Sequence, residues 1–133
     1  MKSYDVYHVD DQGYHKLFHH QSWRIAILNY IEELEAKAIQ YVEAHEKTDE
    51  VFVLLQGKCT LILADVLNQR ILSFDRVEME PNKIYRIPKG IFHTHSLSRD
   101  AKVLIIEEEN TSYENSLRIY LDSCHKEWLN QKE

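Results

Sequence analysis

Short apolar stretches separated by polar, turn-forming residues make up most of the chain. Residues 4–9 (YDVYHV) and 22–30 (SWRIAILNY) are rich in aromatic and β-branched side chains, a composition that favours half-buried strands. Similar segments follow with brief connections, whereas parallel pairing would need crossovers of roughly a dozen residues or more. The pattern therefore predicts an all-β antiparallel sandwich or barrel. The further predicted strands cover residues 50–56, 58–66, 71–79, 83–88 and 101–109.

Two parts of the chain have a different pattern. Residues 31–38 (IEELEAKA) have helical composition and spacing but are too short to stand alone as a helix. Between Leu117 and Leu129, apolar residues recur at three- and four-residue intervals, and Thr111 with Glu114 forms a capping-box pattern just ahead. We therefore predict a C-terminal α-helix over about residues 112–131 that covers one side of a barrel formed by about residues 1–110.

Length and charge limit what the protein can be. The 133 residues suit one compact domain, so we predict a single domain over residues 1–133. A net charge of −6 without a basic cluster argues against nucleic acids and anionic membranes as partners. A small molecule or another protein remains as the expected partner.

Location and cysteine usage follow from the same composition. The apolar runs are too short to span a bilayer, and the N-terminus lacks the basic and apolar regions of a secretory signal, so we expect a cytoplasmic location. Cys59 and Cys124 lie far apart and neither belongs to a CxxC spacing. We therefore interpret both as small buried apolar residues and not as a disulfide.

Candidate metal ligands occur where the pattern changes to period two. From Ile39 onward, Tyr41, Glu43 and His45 share one strand face. Glu50 opens the next strand, and a chain reversal at residues 46–49 would point it at the same place. Imidazole nitrogens and carboxylate oxygens that converge in this way can hold a divalent ion. Taken alone, a Glu and a His on a strand face are more often exposed to solvent near a sheet edge.

A second candidate stretch follows Pro88 and Gly90. Proline and glycine favour a tight bend there, after which His93 and His95 share one strand face. Either imidazole could reach into a barrel.

These two stretches resemble the paired motifs of the cupin superfamily of small β-barrels. In the first motif, His45, four residues, Glu50, six residues and Gly57 match the second half without a gap. Glu43 stands where the family has its first histidine, and Lys37 replaces the opening glycine. A carboxylate can still ligate a hard or borderline ion, so Glu43 remains a candidate ligand.

The second motif matches at Pro88, Gly90 and His93. Asn82 occupies the position of its opening glycine, a mild exchange because asparagine tolerates positive φ better than other non-glycine residues. Leu97 replaces the closing asparagine.

The resemblance implies a small single-domain cupin, an RmlC-like antiparallel jelly roll with a C-terminal α-helix. It also implies a divalent metal ion, and a mixed nitrogen and oxygen donor set would suit Mn, Fe, Zn or Ni, among which spacing cannot choose. His95 and Tyr41 are the candidates for acid–base catalysis. The predicted metal ligands are Glu43, His45, Glu50 and His93.

We therefore expect a metal-binding cupin that acts on a small polar metabolite, such as a sugar derivative or a keto acid. Two alternatives remain open, so enzymatic activity itself is undecided. One is a binding or sensor cupin that does not turn its ligand over. The other is a metal-free sugar isomerase or epimerase in which Glu43 or Glu50 and a histidine transfer protons.

Three further features affect these expectations. Val51, Val53 and Leu55 make the second face of the strand at residues 50–56 apolar, so the C-terminal helix or a second subunit must cover it, and we expect a homodimer. Arg24 is either an anion anchor or a solvated edge residue. The acidic run at residues 107–109 is most simply a solvated strand end.

Overall fold

The computed structural model of the chain describes residues 3–131. Within this range the backbone forms ten strands, three short 3₁₀ turns and one α-helix. The strands are β1 (Gly13–His20), β2 (Trp23–Asn29), β3 (Tyr41–His45), β4 (Glu50–Gln56), β5 (Cys59–Leu67), β6 (Arg70–Glu78), β7 (Ile84–Ile87), β8 (Phe92–Leu97), β9 (Lys102–Glu108) and β10 (Ser116–Tyr120). The helix is α1 (Ser123–Leu129), and the 3₁₀ turns cover Glu32–Leu34, Ala36–Ala38 and Tyr113–Asn115.

The strands form two five-stranded sheets in which every pairing is antiparallel. The first sheet has the order β1-β2-β9-β4-β7 and the second has the order β10-β3-β8-β5-β6. Most neighbours in a sheet are not consecutive in sequence, as expected for a double-sheet jelly roll. The fold class predicted from the sequence is therefore confirmed.

The main core lies between the two sheets. Because side chains alternate across a strand, every second residue of the central strands points inward. Phe52 and Leu61 are each 1% exposed, and Val103 and Ile105 of β9 pack with them.

A second apolar cluster lies on the outer face of the second sheet, beneath α1. Val42 and Ile62 from the sheet pack with Leu129 of the helix. The ring of Trp128 stacks on that of Phe74 with centroids 4.9 Å apart. The helix thus covers one side of the barrel, as predicted, and it buries the part of the outer face of this sheet on which it lies.

The first predicted strand is wrong. Residues 4–9 have the composition of a strand but form no ladder, and Tyr4 and Val6 are 72% and 80% exposed. The segment is tied down through the side chain of Asn29, which donates to the carbonyl oxygens of Val9 and Asp11. The strand that pairs with β2 is β1. Its histidines and lysine interrupt the alternation of apolar and polar residues that would identify it as a strand.

The predicted C-terminal helix is too long. Residues 116–120 form β10, which pairs with β3 in the register Ser116↔His45 and Tyr120↔Tyr41. The helix begins only at Ser123, where the Asp122 side chain accepts from the backbone N–H of His125. Because β3 needs a partner along its open edge, strand pairing outweighs the helical spacing of this segment.

Smaller differences concern capping and cysteine burial. The capping box ahead of β10 is formed by Ser112 and Asn115, not by Thr111 and Glu114. Both cysteines are free, but only Cys59 is buried, so the interpretation of Cys124 as a buried residue is wrong. No helix within residues 3–131 is long and apolar enough to cross a membrane.

Three of the four motif glycine positions, Gly57, Asn82 and Gly90, have positive φ, whereas Lys37 lies in a 3₁₀ turn. Asn82 has φ +68° and Gly57 has φ +73°. A Cβ at Gly57 would also lie 2.7 Å from the Cα of Ala101, so this turn excludes larger residues.

Candidate functional site

A cavity of about 880 Å³ opens inside the barrel. Residues of both sheets line it, because alternate side chains of the two facing sheets point into the space between them. The polar and aromatic lining residues that matter below are Tyr14, Arg24, Tyr41, Glu43, His45, Glu50, His93, His95, Glu107, Thr111, Tyr113 and Arg118.

Three of the four predicted metal ligands converge within this cavity. The donor atoms of His45, Glu50 and His93 all lie within 4.8 Å of one another. One oxygen of Glu50, Oε1, lies 3.0 Å from His93 Nε2 and 3.2 Å from His45 Nε2. The two histidines come from neighbouring strands of the second sheet, and Glu50 reaches them from the first strand position of β4 in the opposite sheet.

The hydrogen bonds of His93 fix which of its ring nitrogens carries the hydrogen. Its Nδ1 lies 2.9 Å from the carbonyl oxygen of Ile91, which can only accept a hydrogen bond. In the neutral ring, Nδ1 therefore holds the hydrogen and Nε2 presents a lone pair to Glu50.

The same reasoning applies to His45. Its Nδ1 lies 2.8 Å from Ser116 Oγ, and that hydroxyl already donates its hydrogen to the carbonyl oxygen of Ser112. Ser116 must therefore accept from Nδ1, which leaves a lone pair on Nε2. Two imidazole lone pairs and a carboxylate oxygen thus face one another, and only a proton or a metal ion between them makes this arrangement favourable.

Without a metal ion, protons between the imidazole nitrogens and the Glu50 carboxylate stabilise the cluster. Burial opposes a charge on His45, but the hydrogen bond and negative charge of Glu50 outweigh it and raise the pKa of His45. Burial likewise opposes ionisation of Glu50, but hydrogen bonds from His45 and His93 hold the pKa of Glu50 well below its usual value. Metal binding at this cluster would therefore displace protons.

Glu43 lies at the edge of this cluster and is held by an arginine. Its Oε2 accepts from Nε of Arg118 at 2.7 Å, and its Oε1 lies 3.9 Å from Nε2 of His45. The guanidinium of Arg118 lies 4.1 Å from the ring centroid of Tyr41 and 4.8 Å from that of Tyr113. One carboxylate oxygen is thus fixed by Arg118 while the other faces the histidines.

The two predicted catalytic residues both line the cavity. The ring of His95 packs on Phe52 at 5.4 Å, and both of its ring nitrogens are buried without a protein hydrogen-bond partner. Burial, with a smaller contribution from His93, lowers the pKa of His95 to about 4, so its ring is neutral at pH 7. Burial raises the pKa of Tyr41. Their acid–base roles stay predictions.

Glu107 is one of the cavity residues that the sequence interpretation missed, together with Tyr14, Thr111, Tyr113 and Arg118. The acidic run was expected to be a solvated strand end, yet Glu107 is only 6% exposed. Burial and the adjacent Glu50 carboxylate raise the pKa of Glu107 to about 7, against the effect of Arg24. Strand alternation could have found it, because Val103, Ile105 and Glu107 share the inward face of β9.

Arg24 pairs with a buried carboxylate of the same chain. Its Nη2 donates to Glu107 Oε1 at 2.5 Å, and the Tyr14 hydroxyl donates to the same oxygen at 2.9 Å. The arginine is therefore an anion anchor whose anion is a buried carboxylate of the same chain, and it is not a solvated edge residue.

Comparison with known proteins supports the fold. No protein-family model matches the sequence, and no curated protein matches it. A cupin-2 domain containing protein from Shewanella frigidimarina matches in structure with a TM-score of 0.56 and 19% identity over 76% of this chain and 85% of that chain. KdgF from Halomonas sp. matches with a TM-score of 0.52 and 13% identity over 74% of this chain and 79% of that chain.

The QdtA 3,4-ketoisomerase from Thermoanaerobacterium thermosaccharolyticum gives a TM-score of 0.54 and 15% identity over 71% of this chain and 64% of that chain. At such identities a structural match establishes architecture and not activity. Together with the two motifs and the sheet order, these matches establish that the chain has the cupin fold, of the RmlC-like jelly-roll type.

Proposed function

We propose that the protein binds a divalent metal ion through His45, Glu50 and His93 and uses the surrounding cavity to bind a small polar molecule. The observation that carries the proposal is the convergence of two imidazole lone pairs on one carboxylate oxygen. Ligand atoms about 2.0–2.2 Å from a common ion lie roughly 3–4 Å apart. The distances of 3.0 Å and 3.2 Å from Glu50 Oε1 to the two Nε2 atoms fit this spacing.

Glu43 is the fourth ligand in this proposal. Its Oε1 lies 3.9 Å from His45 Nε2, but Glu43 is not among the residues whose donor atoms all lie within 4.8 Å of one another. Its carboxylate would therefore have to turn toward the ion while Arg118 holds Oε2. Two nitrogens and two carboxylate oxygens would suit Mn, Fe, Zn or Ni. When bound, such an ion polarises a carbonyl or hydroxyl oxygen of the ligand.

The remaining cavity residues orient the bound molecule and move protons. His95 stays the candidate for acid–base catalysis deep in the cavity because its two ring nitrogens have no other partner within the protein. Tyr41 is a second candidate, in contact with Arg118. The cytoplasmic location, the single-domain organisation and the absence of nucleic-acid partners remain predictions.

The metal proposal is tested by metal content. Protein stripped with a chelator is incubated separately with Mn, Fe, Zn and Ni salts, and the retained metal is measured by mass spectrometry. We expect retention by the wild type and its loss in His45→Ala and His93→Ala. His8→Ala removes an exposed histidine remote from the cluster and serves as the matched control. Undetectable metal in the wild type with all four salts would contradict the proposal.

A metal-free sugar isomerase is the second candidate function. It is supported by the structural likeness to QdtA and to WlaRA, a TDP-fucose-3,4-ketoisomerase from Campylobacter jejuni, and by the protonated carboxylate–histidine cluster of the metal-free state. This candidate predicts unchanged activity in EDTA, whereas the metal proposal predicts its loss. A metal-loaded protein that binds a metabolite but leaves it unchanged would instead be a binding module.

We also propose a homodimer formed through the outer face of the first sheet. The helix α1 covers the second sheet, so it leaves Leu55 and Ile84 of the first sheet 51% and 76% exposed. A second copy would bury this apolar surface. Light scattering should give the mass of a dimer for the wild type and of a monomer for Leu55→Glu. Leu72→Glu, a change at an exposed residue of the other sheet, is the matched control and should stay dimeric.

A further inference from the structure

Polar atoms without partners concentrate on the wall of the cavity. Six buried side-chain nitrogen or oxygen atoms of the described, non-exposed residues have no hydrogen-bond partner. Five of the six belong to residues that line the cavity. Buried polar atoms in folded proteins nearly always have a partner, so this concentration indicates groups that a ligand engages. The five atoms are Arg24 Nε, His95 Nδ1, His95 Nε2, Glu107 Oε2 and Thr111 Oγ1.

Three of these side chains form one wall whose other contacts hold it in place. Arg24 Nη2 donates to Glu107 Oε1 and, at 3.2 Å, to the carbonyl oxygen of Thr111, and Nη1 donates to the carbonyl oxygen of Glu109. The Tyr14 hydroxyl also donates to Glu107 Oε1. These contacts leave Arg24 Nε without a protein partner and Glu107 Oε2 with no partner other than the adjacent Glu50 carboxyl. They also fix both groups before any ligand arrives, which lowers the entropic cost of binding.

The free groups combine hydrogen-bond donors with acceptors. The Arg24 Nε–H only donates, a carboxylate oxygen of Glu107 accepts, and the Thr111 hydroxyl does both. The two unpartnered ring nitrogens of His95 can also form hydrogen bonds with a ligand hydroxyl. A ligand hydroxyl can satisfy either kind of group, whereas a carboxylate or phosphate oxygen of a ligand can only accept.

The charges of the cavity disfavour an anionic ligand at this wall. Both arginines are already paired, Arg24 with Glu107 at 2.5 Å and Arg118 with Glu43 at 2.7 Å. An anionic group placed against the wall would meet the Glu107 carboxyl and no uncompensated positive charge.

We infer that the cavity takes a neutral polyhydroxylated ligand, a sugar or a polyol, whose hydroxyls bind to Arg24, Glu107 and Thr111. This inference rests on the proposed function, because it takes that cavity as the ligand site and the metal centre as the ligand's second anchor. It selects the sugar class over the keto-acid class. Thr111 gives the most specific test of this inference. Its hydroxyl has no hydrogen-bond partner within the protein, so removing that hydroxyl breaks no structural hydrogen bond.

The test uses neutral aldoses, ketoses and alditols, each paired with its uronic or aldonic acid, in calorimetric titrations of the metal-loaded protein. We expect at least one neutral compound to bind, about tenfold or more tightly than its acid. Thr111→Val should weaken this binding about fivefold to tenfold with unchanged metal content, because one ligand hydrogen bond is lost. Thr111→Ser, which keeps the hydroxyl, should bind as the wild type does.

The controls separate the two proposals. Thr60→Val removes a hydroxyl that bonds to Glu78 outside the cavity and should leave the binding unchanged. Metal content is measured before any sugar is added, so failure to load metal counts against the proposed function alone. Binding of none of the neutral compounds, equal or tighter binding of the acids, or full affinity in Thr111→Val would each overturn the present inference.

Discussion

The cavity contains two carboxylate–arginine pairs that differ in burial. Glu43 and Arg118 pair near tyrosine rings, with side chains 23% and 27% exposed, whereas the side chains of Glu107 and Arg24 are 4% and 14% exposed. The family motif indicated the first pair through Glu43 and gave no sign of the second. The comparison shows that the same two residue types act differently in one cavity. Water screens the charges of the first pair, whereas the buried Glu107 carboxyl of the second pair is stabilised by Arg24 or by protonation.

The largest expected difference between the pairs is in stability. Arg24→Met leaves the Glu107 carboxyl buried without a counter-charge, and breaking a buried pair typically costs about 3 kcal/mol. Arg118→Met breaks the more exposed pair, for which we expect a loss of about 1 kcal/mol or less. Urea denaturation of the metal-free variants measures both. Equal losses would show that burial does not distinguish the pairs.

The second pair should also give the metal-free protein a pH-dependent stability. The pKa of Glu107 is about 7 in the folded protein, whereas it is 4.5 in the unfolded chain. As the pH rises, the unfolded chain therefore releases this proton at a lower pH than the folded protein does. The stabilisation is therefore complete below pH 4.5 and is lost by about pH 7. His45, whose pKa is raised above 6.5, continues the decline at higher pH.

We expect the free energy of unfolding to fall on the order of 2 kcal/mol from pH 5 to pH 8, from a shift of this size. Thermal melts of metal-free protein across this range measure it. Glu107→Gln should remove the decrease in the free energy of unfolding that occurs below pH 7. Glu43→Gln, the matched change in the first pair, should leave that decrease unchanged. An unchanged slope in Glu107→Gln would mean that Glu107 is not the titrating group.

For metal affinity we expect the larger effect from the first pair, the opposite of the order expected for stability. If Glu43 presents Oε1 to the ion, Glu43→Gln should lower the affinity about tenfold, a typical effect of changing an outer or weak ligand. Glu107→Gln should have a smaller effect, because Arg24 and Tyr14 occupy its Oε1. Calorimetric titration with Mn or Zn measures both constants. A larger loss in Glu107→Gln would assign the fourth ligand to Glu107.

The sequence predicted the residues whose positions depend on motif spacing. His45, Glu50 and His93 meet because each motif fixes a strand and the turn beside it, as the positive φ at Gly57 and Asn82 illustrates. These constraints are local in sequence and therefore visible in it. The convergence itself is long-range, but the family barrel supplies it.

The missed features depend on competition between segments. Residues 116–120 fit both helical spacing and strand alternation, and the free edge of β3 decides between them. Glu107 belongs to a charged run that looks solvated. Alternation along β9 places it on the inward face, but the counter-charge that makes its burial tolerable comes from Arg24 on the neighbouring strand β2. Neither the open edge nor the buried counter-charge can be read from the segment itself.

The smallest expected difference concerns the tyrosines beside the two pairs. Tyr14→Phe removes the hydroxyl that donates to Glu107 Oε1 at 2.9 Å, which should cost about 1 kcal/mol because a partly buried hydrogen bond is lost. Tyr113 is 71% exposed and contributes its ring to Arg118, a contact that phenylalanine keeps, so Tyr113→Phe should change the stability by less than about 0.5 kcal/mol. Urea denaturation resolves the two values. Since Tyr14 also helps to hold Glu107 in the wall, Tyr14→Phe should weaken binding of the neutral sugars more than Tyr113→Phe does, and the reverse order would place the ligand against the first pair.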